Sequence, residues 1–87
     1  MLKFILGEEK RIEMKITSRK KQVIVITNAE YSITNRDGAL ITGGQCEING
    51  SEMSVLYTPD KVGVYMFEVT YTIPPERLKA RCDLVVT

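Results

Sequence analysis

Apolar and polar residues alternate along most of this chain. From Arg11 onward, Ile12, Met14 and Ile16 share one side of an extended backbone, with Glu13, Lys15 and Thr17 on the other. Ala29, Tyr31 and Ile33 alternate in the same way with Glu30, Ser32 and Thr34. Near the end, Leu78, Ala80, Cys82, Leu84 and Val86 alternate with Lys79, Arg81, Asp83 and Val85. Successive strand side chains point to opposite faces, so each run buries one face. No window carries a helical stripe with caps, and the β-formers Ile, Val, Thr and Tyr recur throughout.

Turn residues punctuate these runs. Gly7 follows a first short strand, and Asn35-Arg36-Asp37-Gly38 reads as a hairpin turn in which Asp-Gly supplies positive φ angles. Gly43-Gly44 reads as a bulge or bend, and Asn49-Gly50 as a second tight hairpin. Pro59-Asp60 opens a loop, and Pro74-Pro75 ends a long strand. The expected strands lie near 2–6, 10–17, 22–27, 29–35, 39–48, 52–58, 63–73 and 78–87. Joined as one kinked strand, the pieces at 22–27 and 29–35 leave seven.

With 87 residues the chain is expected to form one domain, 1–87, around one shared core. No segment reaches the roughly 18–20 consecutive apolar residues of a membrane-spanning helix. The apolar opening Phe4-Ile5-Leu6 is too short for the core of a signal peptide, so cytoplasmic synthesis is expected and no membrane partner. Cys46 and Cys82 are then expected as two buried thiols; in an oxidising compartment they would form one disulfide. Asn49-Gly50-Ser51 fits a glycosylation pattern that an intracellular turn would carry incidentally.

The net charge of +1 argues against a nucleic-acid sleeve. Its distribution is uneven: residues 1–22 carry seven basic and three acidic groups, +4, and the remainder five basic and eight acidic, −3. The absence of histidine removes the commonest general base and metal ligand, along with every histidine-dependent triad. Two cysteines outside a CxxC pair do not build a zinc site, and Gly43-Gly44 lacks the spacing of a phosphate cradle. The glutamates fall on turns or outward strand positions, where solvated charge is their plain role. No catalytic residue, metal or cofactor is expected, and the protein is read as a non-enzyme.

Three segments are candidates for contact with a partner. Arg19, Lys20 and Lys21 form the densest charge feature; they suit phosphates or an acidic protein surface, and equally a solvated hairpin tip. No aromatic residue beside them offers a stacking platform for bases. Val23, Ile24, Val25 and Ile26 show no alternation in residue type, so their strand is either interior or a sheet edge covered by a partner. Pro74, Pro75, Glu76 and Arg77 form a stiff charged loop at one pole, where sandwich domains commonly bind.

About seven short strands with regular turn signals point to a sandwich or small barrel. In Asp60-Lys61-Val62-Gly63-Val64-Tyr65-Met66-Phe67 a tyrosine follows a glycine by two at the start of a long alternating strand. That is the place of the tyrosine corner, so the expected fold is an all-β, immunoglobulin-like antiparallel β-sandwich. Phe67 takes the next inward position, and neither cysteine falls where an antibody domain has its disulfide. Leu2-Lys3-Phe4 to Gly7-Glu8-Glu9-Lys10, Tyr57-Thr58-Pro59 to Gly63-Val64-Tyr65 and the closing strand resemble the small stand-alone immunoglobulin-like proteins of tailed phages and prophages. The resemblance implies a virion structural or assembly role through protein–protein contacts, with virion subunits or another copy of the chain as partner. The alternative expectation is a sandwich that recognises carbohydrate or a bacterial surface.

Overall fold

The alternating runs form eight strands in a computed structural model that describes residues 1–17 and 23–87. They are β1 (Leu2–Phe4), β2 (Lys10–Lys15), β3 (Asn28–Asn35), β4 (Leu40–Gln45), β5 (Glu47–Asn49), β6 (Glu52–Tyr57), β7 (Gly63–Ile73) and β8 (Glu76–Val86). A five-stranded sheet has the order β1-β8-β7-β3-β4, and a three-stranded sheet the order β2-β6-β5. Every neighbouring pair is antiparallel except β1–β8, which is parallel. The order is that of an immunoglobulin-like sandwich: β2, β6 and β5 occupy the B, E and D positions, and β8, β7, β3 and β4 the G, F, C and C′ positions. The expected all-β, immunoglobulin-like class is what the chain adopts.

The two inner faces meet in a core of Ile12, Met53, Val55 and Tyr57 from the small sheet and Phe4, Ile33, Tyr65, Phe67, Val69, Leu84 and Val86 from the large one. Tyr31 stacks on Phe67 with ring centroids 6.1 Å apart, and Phe4 meets Tyr57 edge-on at 5.5 Å. The inward phase read for β7, Tyr65, Phe67, Val69 and Tyr71 against Ile12, Met14 and Ile16, agrees with the burial along both strands.

The corner at the head of β7 is built as expected. The Tyr65 hydroxyl donates to the Lys61 carbonyl at 2.9 Å, and the Val62 carbonyl lies 3.4 Å away. Gly63 has φ 149°, and a Cβ there would lie 3.4 Å from that hydroxyl, so the glycine lets the chain turn against the ring.

Three expectations change. The stretch 22–27 is not a strand over its described residues, 23–27; it crosses between sheets, with Ile26 N–H donating to the Gly50 carbonyl in the β5–β6 turn and Thr27 N–H to the Thr72 carbonyl in the large sheet. Its side chains do alternate: Val23 and Val25 are 92% and 55% exposed, and Ile26 only 3%. Burial of alternate isoleucines at a crossover, not two covered faces, explains the four β-branched residues. Secondly, the expected strand 39–48 divides at Cys46, where the chain leaves β4 for β5 and so changes sheet. Thirdly, the bulge lies at Ile41, opposite Ile33 and Thr34, and not at the glycines. Gly43 and Gly44 stay in register with Ser32 and Tyr31; a Cβ on Gly43 would sit 2.9 Å from the Tyr31 carbonyl oxygen, so close backbone approach is what requires glycine there.

Candidate interaction surfaces

The strand directions gather the loops at two poles. At the first, the β5–β6 turn at Gly50, the crossover 23–27 and the Pro74-Pro75 turn lie together, tied by the Ile26–Gly50, Ile16–Ser51 and Thr27–Thr72 backbone bonds. The structure thus brings two of the three expected contact segments to one end. Pro74, Pro75, Glu76 and Arg77 are all exposed, but they make only the two-residue turn and the first ladder positions of the β7–β8 hairpin. Of Val23, Ile24, Val25 and Ile26, only Val23 and Val25 face outward, and the expected sheet edge is absent because no strand forms there. Arg19, Lys20 and Lys21 lie outside the described residues.

The second pole holds the loop after β1, the β3–β4 turn and the β6–β7 loop. Asn35 organises the turn: its carboxamide oxygen accepts from the Asp37 and Ala39 N–H groups at 3.0 and 2.9 Å, and Gly38 takes φ 83°.

Between the poles runs the outer face of the five-stranded sheet, and register divides it into two halves. Toward the first pole it is charged. Glu68 faces Arg81, which donates Nε–H to its carboxylate, and Lys79 Nζ lies 4.0 Å from the other carboxylate oxygen. This accounts for the mixed charges of β7 and β8 as cross-strand pairs. Toward the second pole the same face turns apolar: Val64 opposes Val85, and Met66 lies between Asp83 and Thr34, which in turn opposes Leu40. Leu40, Ile41, Val62, Val64 and Met66 are all exposed, and Ile41, Val62 and Val64 line one shallow hollow of about 270 Å3 with Arg36, Asp37 and Lys61 at its rim. We refer to these five apolar residues as the shelf.

The shelf is not among the segments expected to make contact, although the sequence carries a signal for it. Val64-Tyr65-Met66-Phe67 is apolar in both phases, as Val23-Ile24-Val25-Ile26 is. Tyr65 and Phe67 enter the core; Val64 and Met66 stay outside.

A larger groove of about 510 Å3 lies along the small sheet, lined by Arg11, Lys15, Glu13, Glu47 and Glu52 among others. Arg11 Nη1 is held by Glu47 Oε2 at 2.6 Å and lies 3.1 Å from Ser54 Oγ. Charges of both signs offset one another there, so the groove projects no single-sign field.

Both cysteines are free. Cys82 pairs with Phe67, which pairs with Ile33, whereas Cys46 donates its N–H to Ala29, four residues back along β3. That offset is about 13 Å at a strand's rise per residue, beyond the roughly 7 Å a disulfide spans. Burial, with a smaller effect from Glu30, pushes the Cys46 thiol up. Since the thiolate is the reactive form, Cys82 should be alkylated well before Cys46 in the native protein. Peptide mass spectrometry after timed labelling checks this; equal rates would contradict the burial of Cys46.

Among the described residues no helix is long and apolar enough to cross a membrane, and no three His, Cys, Asp or Glu side chains gather where they could hold a metal ion.

No family model matches the sequence, and no curated protein does. Among solved structures the chain is similar to CopC from Methylosinus trichosporium OB3b, with a TM-score of 0.70 and 12% identity over 99% of this chain and 84% of that one. At that identity the likeness carries the fold. The neighbour is CopC and not a virion protein, so the expected phage structural or assembly role is corrected and set aside. Neither that role nor its glycan-binding alternative is carried further. What the comparison establishes for this chain is an immunoglobulin-like β-sandwich.

Proposed function

We propose that this chain is a non-enzymatic recognition domain that binds a protein partner through the shelf. The observation that carries the reading is the clustering of Leu40, Ile41, Val62, Val64 and Met66 at one end of an otherwise charged sheet face. Exposed apolar side chains scattered singly are ordinary, but a contiguous group rimmed by charges of both signs has the composition of a protein contact. Arg36, Asp37 and Lys61 supply that rim.

No metal-binding role enters the proposal: among the described residues no three His, Cys, Asp or Glu side chains gather. The chain has no histidine, and its buried cysteine is biased toward the neutral thiol by the loss of hydration.

A photo-crosslinking residue in place of Val62, introduced in the native host, tests the reading. A discrete protein adduct is expected, and Val64→Asp should remove it while leaving the melting temperature within about 2 °C, as for an exposed position. A folded, expressed protein that gives no protein adduct from either Val62 or Leu40 would overturn the proposal.

A further inference from the structure

Among the described residues the sandwich has four edge strands, and three of them are guarded. β1 is only three residues long and carries Lys3; β5 is equally short and carries Glu47; β2 carries Lys10, Arg11, Glu13 and Lys15. Charge and short length are the ordinary devices that keep sheet edges from pairing with other chains. β4 has neither. Its six residues, Leu40-Ile41-Thr42-Gly43-Gly44-Gln45, include no charge and no proline. The bulge at Ile41 disturbs only its start, and Thr42–Gln45 remain in regular register with β3.

The direction of the free backbone groups follows from the ladder. Cys46 donates its N–H to the Ala29 carbonyl, so Cys46 faces Ala29 in a hydrogen-bonded pair. Such pairs alternate along an antiparallel ladder, which turns the N–H and C=O of Gly44 and Thr42 toward β3 and those of Gln45 and Gly43 toward the open side. We propose that β4 is a strand-addition edge and that its occupant is β4 of a second copy, antiparallel about a two-fold axis at Gly43. That register sets Gly43 against Gly43 of the partner and Gln45 against the partner's Ile41, with the outward groups of Gly43 and Gln45 aimed at the other strand. Glycine at the axis leaves no side chain between the two backbones on either face.

Charge argues for this occupant and this direction. Among the described residues, the charged groups lining the hollow before β4 are Arg36, Lys61 and Asp37, +1 in sum, and those joined to the strand's far end are Glu30, Glu47 and Arg11, −1 in sum. Antiparallel pairing lays each +1 end beside a −1 end, twice by symmetry, whereas parallel pairing would lay like beside like. The inference rests on the shelf reading in so far as Leu40 and Ile41 belong to both surfaces.

Sedimentation velocity over a concentration series tests it. The wild type should dimerise. Gln45→Pro deletes an outward N–H while sparing the bonds to β3, and should raise the dimer dissociation constant at least about tenfold, since the symmetric contact loses two hydrogen bonds. Ile41→Lys, at an exposed position, should weaken the dimer similarly while Val64→Asp leaves it intact, and because Ile41 also belongs to the shelf, this contrast keeps the test decisive if Gln45→Pro fails to fold. A wild type that stays monomeric throughout overturns the inference and leaves the shelf proposal to its own crosslinking test. A dimer that survives both variants but is dissolved by Val64→Asp overturns the edge and supports the shelf.

Discussion

Phe67→Ala is expected to cost about 3–5 kcal/mol, the range for emptying a large buried aromatic site. Phe67 is almost fully buried in the middle of β7, facing Cys82 on one side and Ile33 on the other. Its ring also stacks on Tyr31, so the variant loses an aromatic pair as well as apolar burial. A domain of 87 residues has a total stability of only about 4–13 kcal/mol, so this one change removes a large share of it. Thermal unfolding should show a midpoint at least about 12 °C lower. A midpoint within a degree of wild type would mean that Phe67 does not reach the core and that the phase of β7 is wrong.

The corner ahead of it should give the second large effect. Gly63→Ala places a Cβ on a residue at φ 149°, where L side chains are strained, and within 3.4 Å of the Tyr65 hydroxyl. The expected loss is about 1–3 kcal/mol. Tyr65→Phe removes only the hydroxyl and leaves the Lys61 carbonyl without its donor. Lys61 is exposed and water can partly replace the bond, so about 1 kcal/mol is expected. The double variant should lose less than the sum, because the two residues touch. Full additivity in urea unfolding, or a Tyr65→Phe protein as stable as wild type, would show that the corner is not a unit.

The bounds of β2, β3, β6 and β7 were legible to within a residue or two, since each has one buried face and β3, β6 and β7 end at or near a turn residue. The shelf was not legible as a site. Val64 and Met66 lie in an apolar run whose other members enter the core, and a one-dimensional pattern does not tell which phase a partner covers. The edge assigned to Val23–Ile26 shows the same ambiguity resolved the other way. There the apolar excess belongs to a crossover whose isoleucines turn inward.

Alternation and turn chemistry by themselves determined that this protein is all-β, which side of each long strand is buried, and that a tyrosine corner heads β7. These are local consequences of a two-residue period and of backbone preferences at Gly, Asn and Pro. Tertiary structure alone decided which strands became edges. It sent β1 to pair in parallel with β8, moved the chain between sheets at Cys46, and left an uncharged β4 on the open side of β3. Edge position depends on what lies beside a strand in space, and no pattern within the strand records its neighbours.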